Sequence, residues 1–369
     1  PASTFATTNV VYDSVEKAIK GAKDYDKAAS KYVQFLTGKD QADWSLVVLQ
    51  NQALAQGDAY KDFYKTDYKA TTNDWKTNLQ LPCSWTRQGF DFSIYTNVTM
   101  PWQSKYDSNV SAPNAPANYN PVGLYRKTFK VTDDMKAANG RVYLSFQGVE
   151  SSYYVYVNGK EVGYSEDSYS PHSFDITDYL TTDGSDNLLA VEVHKFCDGT
   201  WMEDQDMFYD GGIFRDVYIL SRPHGHIVDI DIHTENNEDI IVKFDGSADI
   251  ELYDNGKLLD KKSANGSAVF HVESPTLWNA ENPYLYELKF IYKDEVIVQK
   301  VGFRTVKISE QYEILINDTP IKIQGVNHHD THPVNGWVMT DEELLHDLKQ
   351  MKKLNINSIR TSHYPPTPR

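Results

Sequence analysis

The sequence predicts a mainly β fold that changes to α/β grammar near its end. Three observations carry this. Short apolar–polar alternations separated by turn residues recur from about residue 70 to about residue 300. Asn-Gly stands between such runs at Asn158-Gly159 and again at Asn255-Gly256, where both turn residues tolerate positive φ. After Lys307 a hairpin, a capped amphipathic helix and a buried strand follow in close order, the pattern of an α/β unit.

Residues 1–70 read as an N-terminal extension, partly helical. Val15, Ala18, Ile19, Ala22, Tyr25, Ala29, Tyr32, Val33 and Leu36 recur at helical spacing, with Asp13 and Glu16 as a capping box and Gly38 as a stop. Residues 71–221 read as a β-sandwich of jelly-roll type. Its clearest strands are Arg141 to Phe146, Tyr154 to Val157 with its hairpin partner after Asn158-Gly159, and Asn187 to Val193. Arg222-Pro223 marks a boundary. Residues 222–307 read as a small immunoglobulin-like β-sandwich, with strands at 227–232, 240–244, 286–290 and 296–298.

Residues 308–369 read as the start of a TIM barrel that is incomplete within this chain. Ile314 to Ile316 and Ile321 to Ile323 flank a turn at Asn317-Asp318. Thr340-Asp341-Glu342-Glu343 caps a helix with Leu344, Leu345, Leu348, Met351 and Leu354 on one face. Asn357 to Arg360 is expected as a buried strand.

Composition narrows the function. The 369 residues carry a formal net charge of −16, so phosphate backbones and anionic lipid are repelled. No apolar run approaches a membrane span. The 25 Tyr and 7 Trp suit β-sheets and also sugar sites, where rings stack on pyranose faces. The two cysteines, Cys83 and Cys197, form no CxxC, which excludes a zinc knuckle, a redox motif and a disulfide framework. The start, Pro1-Ala2-Ser3-Thr4, shows neither a secretory signal nor an initiator Met. Such a chain fits either a bacterial cytoplasm or secretion to the surface.

Two local patterns invite chemistry and are declined. His328, His329 and His332 cluster, but the stretch does not read as a helix and no Cys joins it, so zinc is not expected. Asn237-Glu238 lies in the expected sandwich and reads as a solvated turn.

Asn357-Ser358-Ile359-Arg360-Thr361-Ser362-His363-Tyr364-Pro365 matches a signature of glycoside hydrolase family 2. Gly325 to Pro333 resembles the family's segment entering its barrel. Trp201 to Met207 and Gly212 to Val217 resemble the end of its sugar-binding domain, and Ile94 to Val98 a loop of that domain reaching the active site. Pro275 to Trp278 with Asn282 to Tyr286 is similar to its immunoglobulin-like domain. The resemblance runs from about residue 75 to the end. Glu203-Asp204-Gln205-Asp206 resembles the β-galactosidase branch.

That resemblance implies a retaining enzyme acting on terminal β-D-galactosides through two Glu carboxylates on later barrel strands, beyond Arg369. What it implies for this chain is a galactosyl half-site: His329, His363 and Asn97 on sugar hydroxyls, and Asp206 on a sodium ion that also touches the 6-hydroxyl. Arg360 would support the nucleophile by holding it ionised. Asp198 matches a position near a peripheral magnesium, whose other partners would fall in the unaligned N-terminal stretch. The chain alone is therefore expected to be inactive, and to self-associate through the unfinished barrel. The alternatives are a stand-alone carbohydrate-binding module, which has no use for Asn357 to Pro365, and a cell-surface β-sandwich protein.

Overall fold

The computed structural model describes residues 4–5, 11–12, 30–103, 106–137, 140–293 and 295–367. Two sheets face each other across the first core. One runs in the order Thr4–Phe5, His172–Asp175, Gly140–Phe146, Val217–Pro223, Val33–Phe35. The other runs Lys160–Ser165, Ser152–Val157, Asn187–His194, Val122–Phe129, Trp44–Leu49, Lys76–Leu79. Trp44, Trp85, Leu144, Phe146, Tyr153 and Val191 fill the space between them. The hairpin at Asn158-Gly159 forms with both residues at positive φ, as the alternation around it requires.

Residues 30–70 are not separate from the sandwich that follows. Val33–Phe35 is a strand paired with Tyr218 to Leu220, and Trp44–Leu49 lies inside the second sheet between Val122–Phe129 and Lys76–Leu79. Long-range pairing overrides the local helical period, because Val33, Phe35 and Leu36 find sheet neighbours and apolar cover there. The remainder of the expected helix, residues 13–29, lies outside the described residues. Residues 52–75 form a strap: Phe63, Tyr64, Tyr68 and Trp75 cover Val47, Val122, Leu124 and Ala190 on the outer face of the second sheet. That cover explains why Asn187–His194 is buried along nearly its whole length.

The second sandwich comprises Ile230–Glu235, Asp239–Asp254, Lys257–His271, Tyr286–Tyr292 and Glu295–Val301, with Val11–Tyr12 added at an edge. Its first strand begins at Ile230 rather than 227. The backbone amides of Val228 and Asp229 bind the Asp245 carboxylate instead of a neighbouring strand. Asp239–Asp254 is long because a break in register between Lys243 and Ser247 lets it serve two partners, Ile230–Glu235 and Tyr286–Tyr292. Asn236 and Asn237 occupy the tight turn at positive φ. The two sandwiches are joined by a buried ion pair, Arg222 with Glu295, and by Tyr218 and Leu220, which extend into the second core.

Beyond it, Val306–Ile308, Ile314–Ile316 and Thr319–Ile321 form a small antiparallel sheet. Gly325–His328 then pairs in parallel with Ser358–Thr361, and the helix Asp341–Lys353 connects them, one β–α–β step. Thr340 Oγ1 accepts from the Glu343 amide at 3.3 Å, and Glu343 Oε2 accepts from the Thr340 amide at 2.8 Å, closing the capping box. The strand at 358–361 is exposed rather than buried, because Gly325–His328 is its only strand neighbour among the described residues. Leu345 and Leu348 on the helix and Leu354 at its C-cap are likewise exposed.

Glu150 is buried in the jelly roll, on a short strand whose partner is Gly212. Its Oε2 accepts from the Asp210 and Gly211 amides at 2.9 and 2.6 Å, while Oε1 has no partner. Burial, with Asp210 acting in the same direction, raises its pKa from 4.5 to about 8. The folded state therefore holds a proton that the unfolded chain releases. This contribution to stability is fully present below the unfolded value and is lost as pH rises through about 8. Glu150→Gln should flatten the pH dependence of the urea midpoint across that window. An unchanged slope would show that Glu150 does not carry the effect.

Candidate functional site

The candidate site draws its residues from two parts of the chain. From the jelly roll comes a two-stranded ribbon, Ile94–Thr96 against Met207–Tyr209, with Thr96 opposite Met207. Asn97 follows one strand and Asp206 precedes the other, so both sit at the same end of the ribbon, and both are exposed. The four-residue segment before Met207 divides its work. Glu203 is clamped by Ser168, whose amide and hydroxyl donate at 2.8 and 2.9 Å. Asp204 accepts from Thr96 Oγ1 at 3.1 Å. Burial raises the pKa of both carboxyls. These two acids hold the loop, and Asp206 is left facing solvent with Tyr95 donating its phenol to Oδ1.

From the other side come the carboxyl ends of the two parallel strands, where barrel enzymes keep their chemistry. The register sets Asn327 opposite Arg360 and His328 opposite Thr361. His329 and His363 emerge next to each other, ring centroids 5.4 Å apart and perpendicular. Arg360 Nη1 reaches Ser362 Oγ at 3.1 Å and Asn327 Oδ1 at 3.4 Å, and Nη2 lies 3.2 Å from His363 Nδ1. A guanidinium only donates, so this contact makes Nδ1 the acceptor and leaves the proton on Nε2. His329 has its pKa lowered, first by burial and then by His363, while Asp206 pulls it upward. It is therefore a neutral imidazole near pH 7, with one nitrogen to donate and one to accept. Asp206, His329, His363 and Arg360 thus share one electrostatic environment.

Asp198 does not belong to it. It lines a separate groove with Tyr154, Tyr164 and His194, and among the described residues Glu166 and Cys197 are the acidic or thiol groups grouped with it. The other histidines of the cluster are engaged apart. His328 sits between Asp330 at 3.3 Å and Asp347 at 3.2 Å, and His332 lies 3.2 Å from Glu343.

Sequence reasoning missed the side chains that hold the cleft together. Tyr364 stacks on Tyr169 at 4.2 Å, and Trp337 meets both Tyr364 and Phe214 edge-on or tilted. Buried Arg215 donates to the Tyr169 carbonyl at 2.7 Å and the Pro365 carbonyl at 2.9 Å. Gly148 makes room for this: a Cβ there would lie 2.8 Å from Arg215 Cδ and 2.9 Å from Phe214. Tyr364 stood in the signature and Arg215 in a matched segment, but nothing local marks them as partners.

Three domain models of one family match the chain in succession: its sugar binding domain over residues 52–223, a family 2 domain over 216–304, and its TIM barrel domain over 306–369. The chain belongs to glycoside hydrolase family 2. A β-galactosidase of Priestia megaterium (strain DSM 319 / IMG 1521) is 38% identical over 96% of the chain, and one of Clostridium acetobutylicum 36% over 90%. One of Actinobacillus pleuropneumoniae is 39% identical over 79%. The chain spans 35%, 38% and 28% of those proteins, about a third of their length. Among solved structures, a β-glucuronidase from an uncultured Clostridium species superposes with a TM-score of 0.68 at 20% identity, covering 91% of this chain and 55% of that one. The Ruminococcus gnavus β-glucuronidase gives 0.67 at 20% identity, with 91% and 55% covered. At that identity the likeness concerns the fold alone.

Tyr364, Tyr169, Trp337 and Phe214 form an aromatic wedge, and truncating one of its rings should cost about 3–5 kcal/mol. Trp337→Ala or Tyr364→Ala is expected to expose residues 325–367 to limited proteolysis while leaving the sandwich domains resistant. Equal resistance in variant and parent would show that the wedge does not hold this segment.

Proposed function

We propose that this chain supplies the galactose-gripping part of a retaining β-galactosidase. The observation that carries the reading is the meeting of Asp206 from the jelly roll with His329, His363 and Arg360 at the ends of parallel strands, in a chain whose curated relatives include β-galactosidases. His363 would donate through Nε2 to a sugar hydroxyl, while neutral His329 donates and accepts. Asn97 would add its amide from the ribbon. Arg360 is poised to face a carboxylate nucleophile and hold it ionised. The exposed Asp206 carboxylate favours a neutral sugar over a uronate, which it would repel.

Hydrolysis with retention needs a nucleophile and an acid/base carboxyl about 5–5.5 Å apart. The two barrel Glu of the resemblance are not residues of this chain, so turnover is assigned to the assembled enzyme. Two ions accompany the reading. Asp206, an exposed hard oxygen donor with Oδ2 uncommitted, suits sodium, which would anchor the 6-hydroxyl. Magnesium at Asp198 suits the residues less well, because a thiol stands among the donors there. The parallel pair 325–328 and 358–361 has no role in a stand-alone binding module. Among the described residues, no helix is long and apolar enough to cross a membrane. The exposed apolar side of Asp341–Lys353 and the open edge of 358–361 are surfaces for further barrel elements or for a second copy.

Two measurements test this. Purified, the 369-residue chain should not turn over an aryl β-galactoside, whereas the assembled enzyme should do so with retention. In that enzyme Asn97→Ala and His363→Ala should each lower kcat/KM roughly ten- to hundredfold, with Tyr312→Ala, at an exposed loop position, unchanged. Wild-type kinetics in both site variants would refute the placement of the galactosyl ring.

A further inference from the structure

The ribbon Ile94–Thr96 against Met207–Tyr209 has two unlike faces. Successive side chains of a strand point to opposite sides. Thr96, Met207 and Tyr209 are buried, and Ile94 packs against the same cluster as Met207 and Tyr209. Tyr95 and Phe208, opposite each other in the ladder, are 53% and 49% exposed. Their rings lie 5.4 Å apart, tilted by 53°. Asp206 precedes Phe208 by two residues, which places it diagonally across from Tyr95. Diagonal neighbours on one face lie about 7–8 Å apart, a span that aromatic side chains bridge and short ones do not. Tyr95 bridges it: its phenol donates to Asp206 Oδ1.

This bond supplies a constraint that the loop lacks. The bonds from Ser168 to Glu203 and from Thr96 to Asp204 hold the loop before Met207. Neither touches the Asp206 side chain, whose terminal torsion is broad and roughly two-fold. An exposed carboxylate of that kind turns freely in water, and a ligand that needs one orientation must first arrest it. With Oδ1 engaged by the phenol, that arrest precedes binding, and Oδ2 is the oxygen left to a ligand. Phe208 holds the Tyr95 ring, so the donor is itself fixed.

We propose that Tyr95 is a positioning residue for the galactosyl ring. It acts through Asp206, keeping that carboxylate turned so that Oδ2 serves the 6-hydroxyl, and it takes no part in bond breaking. The proposal rests on the galactosyl reading of Asp206 and adds to it the residue that sets the carboxylate's orientation. A purely packing role is the rival: Tyr95 would then cover Phe208 and its oxygen would not matter. The two roles separate at carbon 6, because only a positioning residue distinguishes a substrate with the 6-hydroxyl from one without it.

The test compares the assembled enzyme with its Tyr95→Phe variant, which keeps the ring on Phe208 and deletes the phenol oxygen alone. The substrates are an aryl β-galactoside and its 6-deoxy analogue, at one fixed sodium concentration. The parent should prefer the galactoside. A parent that turns over neither, or does not distinguish them, would overturn the reading of Asp206 and this proposal with it, before any variant is measured. Where the parent prefers the galactoside, Tyr95→Phe should lower kcat/KM for it roughly tenfold and change the 6-deoxy analogue by less than about twofold. The dissociation constants of galactose and 6-deoxygalactose, measured by calorimetry, should show the same split without turnover. Equal losses on both substrates would make Tyr95 a packing residue. Unchanged kinetics on both would show that Asp206 needs no fixing. Either result refutes the positioning role and leaves the galactosyl reading standing.

Discussion

Tyr364 lies flat against Tyr169, with Trp337 and Phe214 closing around them and the Arg215 guanidinium bridging carbonyls from both sides. This wedge fixes the barrel's first strands against the jelly roll, and the candidate cleft exists only because it does. Asn97 and Asp206 come from one domain, His329, His363 and Arg360 from the other. A small rotation between them would separate the two halves. Each aromatic pair contributes about 0.5–1.5 kcal/mol beyond its buried area. The larger effect is directional: a buried guanidinium with two fixed acceptors leaves the joint one register. Burial lowers the Arg215 pKa, and Asp330 favours its charged form in return, so the clamp remains cationic.

The cleft's electrostatics follow from this packing. His329 is pushed toward neutrality chiefly by desolvation, with His363 and Arg360 adding to it. A protonated imidazole there would lose its acceptor role. Asp206 opposes the shift and stays in solvent because Glu203 and Asp204 take up the structural duties of their loop. Three acids within four residues thus differ in role through burial alone.

Much of the architecture was legible because alternation, Asn-Gly turns and a capping box are local signals. The hairpins at 158–159 and 255–256 and the helix opening at Asp341 needed nothing from afar. The misreadings share the opposite cause. Val33–Phe35 carries a helical period, yet pairs with a strand some 185 residues later in the chain. The aromatics of 52–75 carry no local sign of their role, because the sheet face they cover is built largely from distant strands. Asp198 is marked by motif, whereas its neighbour Glu166 lies 32 residues away and nothing local links the two. Arg215, Tyr169 and Trp337 form a contact between domains, and no window of sequence contains such a contact.

Solved structures that superpose on this chain include β-glucuronidases, while its curated relatives at higher identity include β-galactosidases. The two observations are compatible because a scaffold does not choose its sugar. Jelly roll, sandwich and parallel strands deliver side chains to a cleft. A galactoside and a glucuronide differ at carbon 6, a hydroxymethyl group in one and a carboxylate in the other. In the proposed reading that carbon faces the ribbon end where Asp206 projects. A carboxylate placed there meets like charge at close range, and screening is weaker in a cleft than in open water. A hydroxymethyl group meets an acceptor, or a cation held by that acceptor. Preference between the two sugars then rests on one short loop, whose shape is set by the Ser168 clamp on Glu203 and by the wedge that brings the barrel up to it.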